Sequence, residues 1–156
     1  MKSIEEIYKL LNPKSKSDDQ LLGIRLARES DDPAAFIMPC TGSESKDIWE
    51  NCARALYEIP DDRLMKYLPA MLEWLEDLNW PGAYAILDRL LIFSGEKLKE
   101  PFIEHFDRIA NSDDINKTNY LGCLSLLLDN DGLKALLPES VIEMLQSYRS
   151  RSGTYL

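Results

Sequence analysis

The chain has 156 residues, 45% of them hydrophobic, which suits the core of one domain and leaves little for a second independent one. Its 27 acidic residues outweigh 18 basic ones, and the formal charge of -9 repels polyanions, so nucleic acid is excluded as a ready partner. Cys40, Cys52 and Cys123 are odd in number and lack C-x-x-C spacing, which excludes a disulfide framework of even pairs and points to a reducing compartment.

The opening run Met1-Lys-Ser-Ile-Glu-Glu-Ile-Tyr-Lys-Leu-Leu11 is amphipathic and acidic, unlike the basic and then apolar order of a signal peptide. No apolar segment approaches the roughly 20 residues needed to cross a bilayer, so a cytoplasmic location is the expectation. Ile4, Ile7, Leu10 and Leu11 share one helical face. Leu21, Leu22, Ile24, Leu26 and Ala27 mark a second helix that starts at Asp18-Asp19. The segment from Pro33 to Pro39 has room for one short helical turn. After it, Cys40-Thr-Gly-Ser-Glu-Ser-Lys46 is a polar loop around Gly42, in which Cys40 has room to be exposed.

From residue 47 the helices come in pairs. A helix over 47–58 precedes one over 61–77 with Leu64, Leu68, Met71, Leu72 and Leu75 inward; Pro69 must bend the latter, because proline removes a backbone donor. A helix over 81–94 pairs with one over 96–110, where Leu98, Phe102, Ile103, Phe106 and Ile109 recur at helical intervals. The last pair is 117–129 with 138–149, the latter carrying Val141, Ile142, Leu145 and Tyr148. Leu90-Leu-Ile-Phe93 would suit a strand in isolation, but at the end of a helical period it reads as a buried helix turn.

A diverged repeat runs through these pairs: Trp49-Glu-Asn-Cys-Ala-Arg-Ala-Leu56, Trp80-Pro-Gly-Ala-Tyr-Ala-Ile-Leu87 and Tyr120-Leu-Gly-Cys-Leu-Ser-Leu-Leu127. The fourth residue is small (Cys52, Ala83, Cys123), the sixth varies (Arg54, Ala85, Ser125) and the eighth is leucine, as one apolar helix face requires. Small packing slots account for Cys52 and Cys123. The copies begin 31 and then 40 residues apart, long enough for helix, turn and helix, the unit of HEAT-like and armadillo-like solenoids.

Asp-Asp occurs at Asp18-Asp19, Asp31-Asp32, Asp61-Asp62 and Asp113-Asp114, mostly just ahead of a helical segment, where a carboxylate accepts from first-turn amides and opposes the positive helix end. In Leu68-Pro-Ala-Met-Leu-Glu-Trp-Leu-Glu-Asp-Leu-Asn-Trp-Pro-Gly-Ala83, Asn79 is placed to cap the incoming helix and Pro81 to open its first turn. Trp74 and Trp80 supply apolar area for locking helices together. With Leu87 and Leu68-Pro69, the run Trp74-Leu-Glu-Asp-Leu-Asn-Trp-Pro-Gly-Ala83 resembles a family of small uncharacterised bacterial domains with a W-L-x-D-x-N-W-P core, itself similar to HEAT-like helical proteins. That resemblance implies a bacterial origin and a helical-repeat fold, and it carries over no catalytic residue. Asp77, Asn79, Trp80 and Pro81 match the core, for turn geometry or for a shared surface.

Sharper chemistries fail on spacing. Asp129-Asn-Asp-Gly132 set in a calcium loop would put Leu127 first and Pro138 last, without two essential oxygen ligands, so it reads as a polar turn with Gly132 ending a helix. The one histidine, His105, excludes a multi-histidine metal site and is expected on an exposed helix face between Glu104 and Asp107. Gly95-Glu-Lys97 lacks the upstream glycine of a phosphate loop. Glu73, Glu76 and Asp77 fall on neighbouring turns, as a solvated acidic face would. Arg149 and Arg151 oppose the dipole of the last helix, and the final residues are expected to fray.

These readings predict an all-α fold, a short right-handed HEAT-like array of antiparallel helix pairs in a single domain over 1–156. Residues 1–46 form an N-terminal cap and 47–150 three helix pairs. The expected function is a non-catalytic protein–protein interaction module without cofactor or metal, using Glu73, Trp74, Asp77 and Trp80 against another, basic protein, with neither nucleic acid nor membrane as partner. One alternative is an immunity protein that blocks a basic toxin through steered association. A second is a HEAT-like DNA glycosylase, which the acidity opposes because such an enzyme needs a cationic face for the phosphate backbone.

Overall fold

The computed structural model describes residues 1–39 and 46–151, and among them every regular element is helical. In chain order these are α1 (Ile4–Leu11), α2 (Ser17–Glu29), α3 (Trp49–Tyr57), α4 (Asp61–Leu64), α5 (Leu68–Trp74), α6 (Ala83–Leu91), α7 (Gly95–Ala110), α8 (Lys117–Leu124), α9 (Asp131–Lys134) and α10 (Glu139–Arg151). Short 3-10 turns fill Pro33–Phe36, Lys46–Ile48, Met65–Tyr67 and Ser125–Asp129. None of the described helices is long and apolar enough to cross a membrane.

Local chemistry sets the ends. Ser3 and Glu6 form a reciprocal capping box at α1, with the Ser3 amide donating to Glu6 Oε2 at 2.7 Å and the Glu6 amide donating to Ser3 Oγ at 3.2 Å. Asp32 accepts from the Ala34 amide and starts the turn at Pro33, as the short helical turn expected there requires. The helix expected over 61–77 is divided: α4, a 3-10 turn and α5 follow one another, with Pro69 in the first turn of α5. Proline is tolerated in that position, so the interruption falls in the 3-10 turn before it. Helix 117–129 likewise tightens to 3-10 geometry at Ser125, whose hydroxyl turns back to the Gly122 carbonyl at 2.6 Å. Cys40 to Ser45, and the frayed end expected after Arg151, lie outside the described residues.

The helices pack on one another through their apolar faces. Helix α3 packs on α2 and α6, α5 packs on α7, and α7 continues to α8 and α9, while α10 covers α8. The fourth and eighth positions of all three repeat copies are buried: Cys52, Ala83 and Cys123, then Leu56, Leu87 and Leu127. Cys52 and Cys123 are free thiols in the core, and burial pushes the Cys52 pKa up to about 12. The sixth position departs from the pattern at Ser125, which is fully buried in its 3-10 turn.

Three buried polar side chains tie one helix to the end of an earlier one. The Asn51 amide donates to the Leu11 carbonyl at 2.8 Å, where α1 ends. Arg89 donates to the Ile59 carbonyl at 2.8 Å just beyond α3 and to Asp61 Oδ1 at 2.5 Å. The Asn130 amide donates to the carbonyls of Leu90 and Phe93 at 2.9 and 3.0 Å, where α6 ends, while its Oδ1 caps α9 by accepting from the Leu133 amide. Helix C-termini leave carbonyls without intrahelical donors, and these side chains supply donors where water is excluded. Two expectations are corrected here. Asp61 does not cap its own helix, because its carboxylate is turned to Arg89 and to the Ser94 amide at 2.9 Å. Gly132 does not end a helix; it lies in the first turn of α9, within reach of Gly95, where a Cβ would come 2.2 Å from the Gly132 carbonyl carbon.

Replacing Asn130 by Ala removes a cap and leaves two buried carbonyls without donors, for an expected loss of about 3 kcal/mol, or roughly 6–12 °C in thermal midpoint. A drop of less than about 1 kcal/mol in urea unfolding would show that Asn130 does not hold α6 and α9 together.

Candidate functional site

The expected partner-binding residues are distributed over two places. Trp74 is fully buried, its indole N–H donating to the Pro81 carbonyl at 3.0 Å, and it lies edge-on to Trp49 with centroids 5.8 Å apart. A ring with no accessible surface cannot touch a partner, so Trp74 packs rather than binds. Trp80 is half-buried and meets Trp49 edge-on at 6.0 Å, and the Trp49 N–H donates to the Pro39 carbonyl at 2.9 Å. Asp77 builds the turn: its carboxylate accepts from the Asn79 amide at 2.9 Å and its carbonyl from the Trp80 amide at 3.1 Å. Asn79 does not cap the next helix and Pro81 stands before it, because Gly82 takes the N-cap position with φ of +82°. The Gly82 amide donates to Glu50 Oε2 at 2.7 Å. A Cβ there would lie 2.7 Å from the Trp49 carbonyl oxygen and 2.8 Å from Ala53 Cβ, so both the backbone angle and the approach of α3 call for glycine.

Glu73 points the other way, to α7. With Pro69, Pro101, Glu104, His105 and Arg108 it lines a cleft of about 230 Å³ between α5 and α7. His105 is 5% exposed, which corrects the expectation of a solvated histidine. The ring faces inward because it shares the α7 stripe with Leu98, Phe102, Phe106 and Ile109. Its Nδ1 is 2.8 Å from an Arg108 guanidinium nitrogen, and its Nε2 is 3.8 Å from Glu76 Oε1. A guanidinium only donates, so Nδ1 accepts and the ring proton sits on Nε2. Arg108 also reaches Glu73 Oε1 at 3.4 Å and Glu76 Oε1 at 3.8 Å.

The electrostatics are uneven. Burial, with the Arg108 charge beside it, lowers the His105 pKa to about 4, so the ring is neutral at pH 7. Burial raises the Glu76 pKa; Arg108 opposes that rise, while the charges of Glu73 and Asp114 add to it. Of the solvated acidic face expected at Glu73, Glu76 and Asp77, Glu73 is thus open to solvent, Glu76 is largely covered and Asp77 is engaged in the turn. His105 and Arg108, three residues apart, share a helix face legible in the sequence, but nothing local showed that this face is buried. Among the described residues no group of histidine, cysteine and carboxylate side chains could hold a metal ion. What the cleft offers chemically is an array of acceptors around one cation whose side chain is 57% exposed.

A family profile described as a domain of unknown function, DUF5071, matches residues 46–146. The chain belongs to this family. The DUF5071 match opens at the 3-10 turn before α3 and ends within α10, taking in both the tryptophan junction and the α5–α7 cleft and leaving α1 and α2 outside. No curated protein and no solved structure matches the chain significantly.

Two measurements check this geometry. Gly82→Ala should lower stability by about 2–4 kcal/mol, through the left-handed angle and the contact with the Trp49 carbonyl; a neutral result would overturn the account of the junction. The His105 pKa is 6.5 unfolded and about 4 folded, so its contribution is complete above pH 6.5 and is lost as pH falls towards 4, up to about 3 kcal/mol. Glu76 acts oppositely, because its raised folded pKa favours the native state as pH falls. His105→Gln should flatten the fall in wild-type stability between pH 6.5 and 4, read by urea unfolding across that window. An unchanged slope would mean that the ring is protonated in the native state.

Proposed function

We propose that this DUF5071 chain is a protein-interaction module built as a short HEAT-like array of antiparallel helix pairs, acting on a basic partner in the cytoplasm. The observation that carries the reading is the open α5–α7 edge, where Glu73 and Glu104 line a cleft on a molecule of formal charge -9 and, among the described residues that line it, only Arg108 is cationic. An acidic edge of this kind attracts a basic surface at a distance and orients its approach. The array reading is supported by the way first helices α3 and α6 pack on one another while second helices α5 and α7 do the same, as stacked helix pairs do. Asp77 and half-buried Trp80 belong to the loop that follows α5 and extend the surface available to a partner. The bacterial origin implied by the W-L-x-D-x-N-W-P resemblance fits an immunity protein as one such module, although acidity is common to many other binding proteins.

The test is affinity capture of the tagged chain from lysate of its own cells at low and moderate salt, followed by sedimentation of the purified pair. A stoichiometric complex weakened by salt is the expected result, and its absence at both salts would overturn the reading. Reversing charge in Glu73→Lys/Asp77→Lys should weaken a verified complex about tenfold, in the range of a lost charged hot spot. Unchanged affinity would remove these two residues from the interface.

A further inference from the structure

We propose that the α5–α7 cleft receives the side chain of a single arginine presented by the partner, taking the place that Arg108 occupies in the free protein; this rests on the interaction-module reading and names its recognition chemistry. The cleft already holds a guanidinium. One planar fork from Arg108 places one nitrogen 2.8 Å from His105 Nδ1 and the other 3.4 Å from Glu73 Oε1. Two separate acceptors reached by two nitrogens of one rigid group is a guanidinium geometry, which a lysine ammonium does not reproduce.

Four further observations point to an incoming cationic side chain. The wall supplies acceptors: the Glu73 and Glu104 carboxylates, and His105 Nδ1, kept unprotonated by the Arg108 contact and by a ring that is about nine-tenths buried. Carboxylates outnumber cations, since Glu73 and Glu76 pair with Arg108 and Glu104 lines the same cleft. Pro69 and Pro101 give the cleft apolar walls of the kind a methylene stem packs against. The free volume beside Arg108, about 230 Å³, is below the roughly 300–1,000 Å³ of sites for drug-sized molecules and leaves room for a long side chain to enter as Arg108 swings out.

Arg108 is anchored by its one short contact, to His105, and is only weakly paired with the carboxylates. Its side chain is 57% exposed and its carboxylate contacts are 3.4 and 3.8 Å, longer than a charge-assisted hydrogen bond of about 2.7–2.9 Å. Swinging it into solvent frees the wall for a partner arginine without breaking the core.

His105 is the chain's one histidine, so its ring resonances report on this cleft alone. The experiment titrates N-acetyl-arginine methylamide, and separately the lysine analogue, into the full chain at moderate salt while following the imidazole signals by NMR. The arginine probe should shift them saturably, with the lysine probe at least fivefold weaker. Arg108→Ala should bind the arginine probe about fivefold more tightly, and Glu73→Gln/Glu104→Gln should lose most of the response while backbone amide spectra show it folded. If the double variant unfolds, the single Glu104→Gln variant carries the same expectation. No saturable shift, equal response to both probes, or an Arg108→Ala variant no tighter than wild type overturns the proposal. A captured partner in the face of such a result leaves the interaction module standing and removes only the cleft. A missing partner removes the module itself.

Discussion

The helical fold depends on satisfying carbonyl groups at helix ends that the packing has closed off from water. Asn51, Arg89 and Asn130 do this for the ends of α1, α3 and α6 in turn, each reaching back from a later element. Apolar contacts are non-directional and would let neighbouring helices slide or rotate. A buried amide or guanidinium aimed at particular carbonyls does not, because leaving donor and acceptor unpaired in the core is costly. Arg89 illustrates the balance. Burial alone would raise the Asp61 pKa, yet the hydrogen bonds from Arg89 and from the Ser94 amide outweigh it and hold the carboxylate below its ordinary range. The Arg89 Nε has no hydrogen-bond partner among the described residues, and the guanidinium carbon lies 5.0 Å from the Phe93 ring centroid, so part of its charge is met by an aromatic face.

The second constraint is the junction between α5 and α6. Trp49, Trp74 and Trp80 meet edge-on, and the chain can turn beneath them only because Gly82 adopts a left-handed angle and carries no side chain against α3. Glu50 answers the positive N-terminal end of α6 by accepting from the Gly82 amide. The Trp-Pro-Gly sequence is therefore explained by turn geometry in which two repeat copies touch through their leading tryptophans. Glu73, on the same helix as Trp74, is turned instead to Arg108 of α7.

On that side the molecule places a neutral histidine, a half-free arginine and several carboxylates around a small cleft. Arg108 is held by a short contact to His105 and by longer ones to Glu73 and Glu76. Core packing and the cleft meet in one helix, α7, whose inner stripe carries both Phe102 and His105.

The sequence by itself determined the helices and their approximate limits, because apolar residues at helical spacing, an N-terminal capping box and prolines act within a few residues of where they stand. It also marked Cys52, Ala83 and Cys123 as packing positions, since small residues at equal places in a repeat have to face a neighbouring helix. It could not show that Trp74 is sealed while Trp80 is half open, that Asn79 yields the cap to Gly82, or that His105 lies inward. Those outcomes are fixed by residues 20 to 40 positions away, such as Trp49 above Gly82 and Glu76 beside His105, and only tertiary packing decides which side chains lose their water.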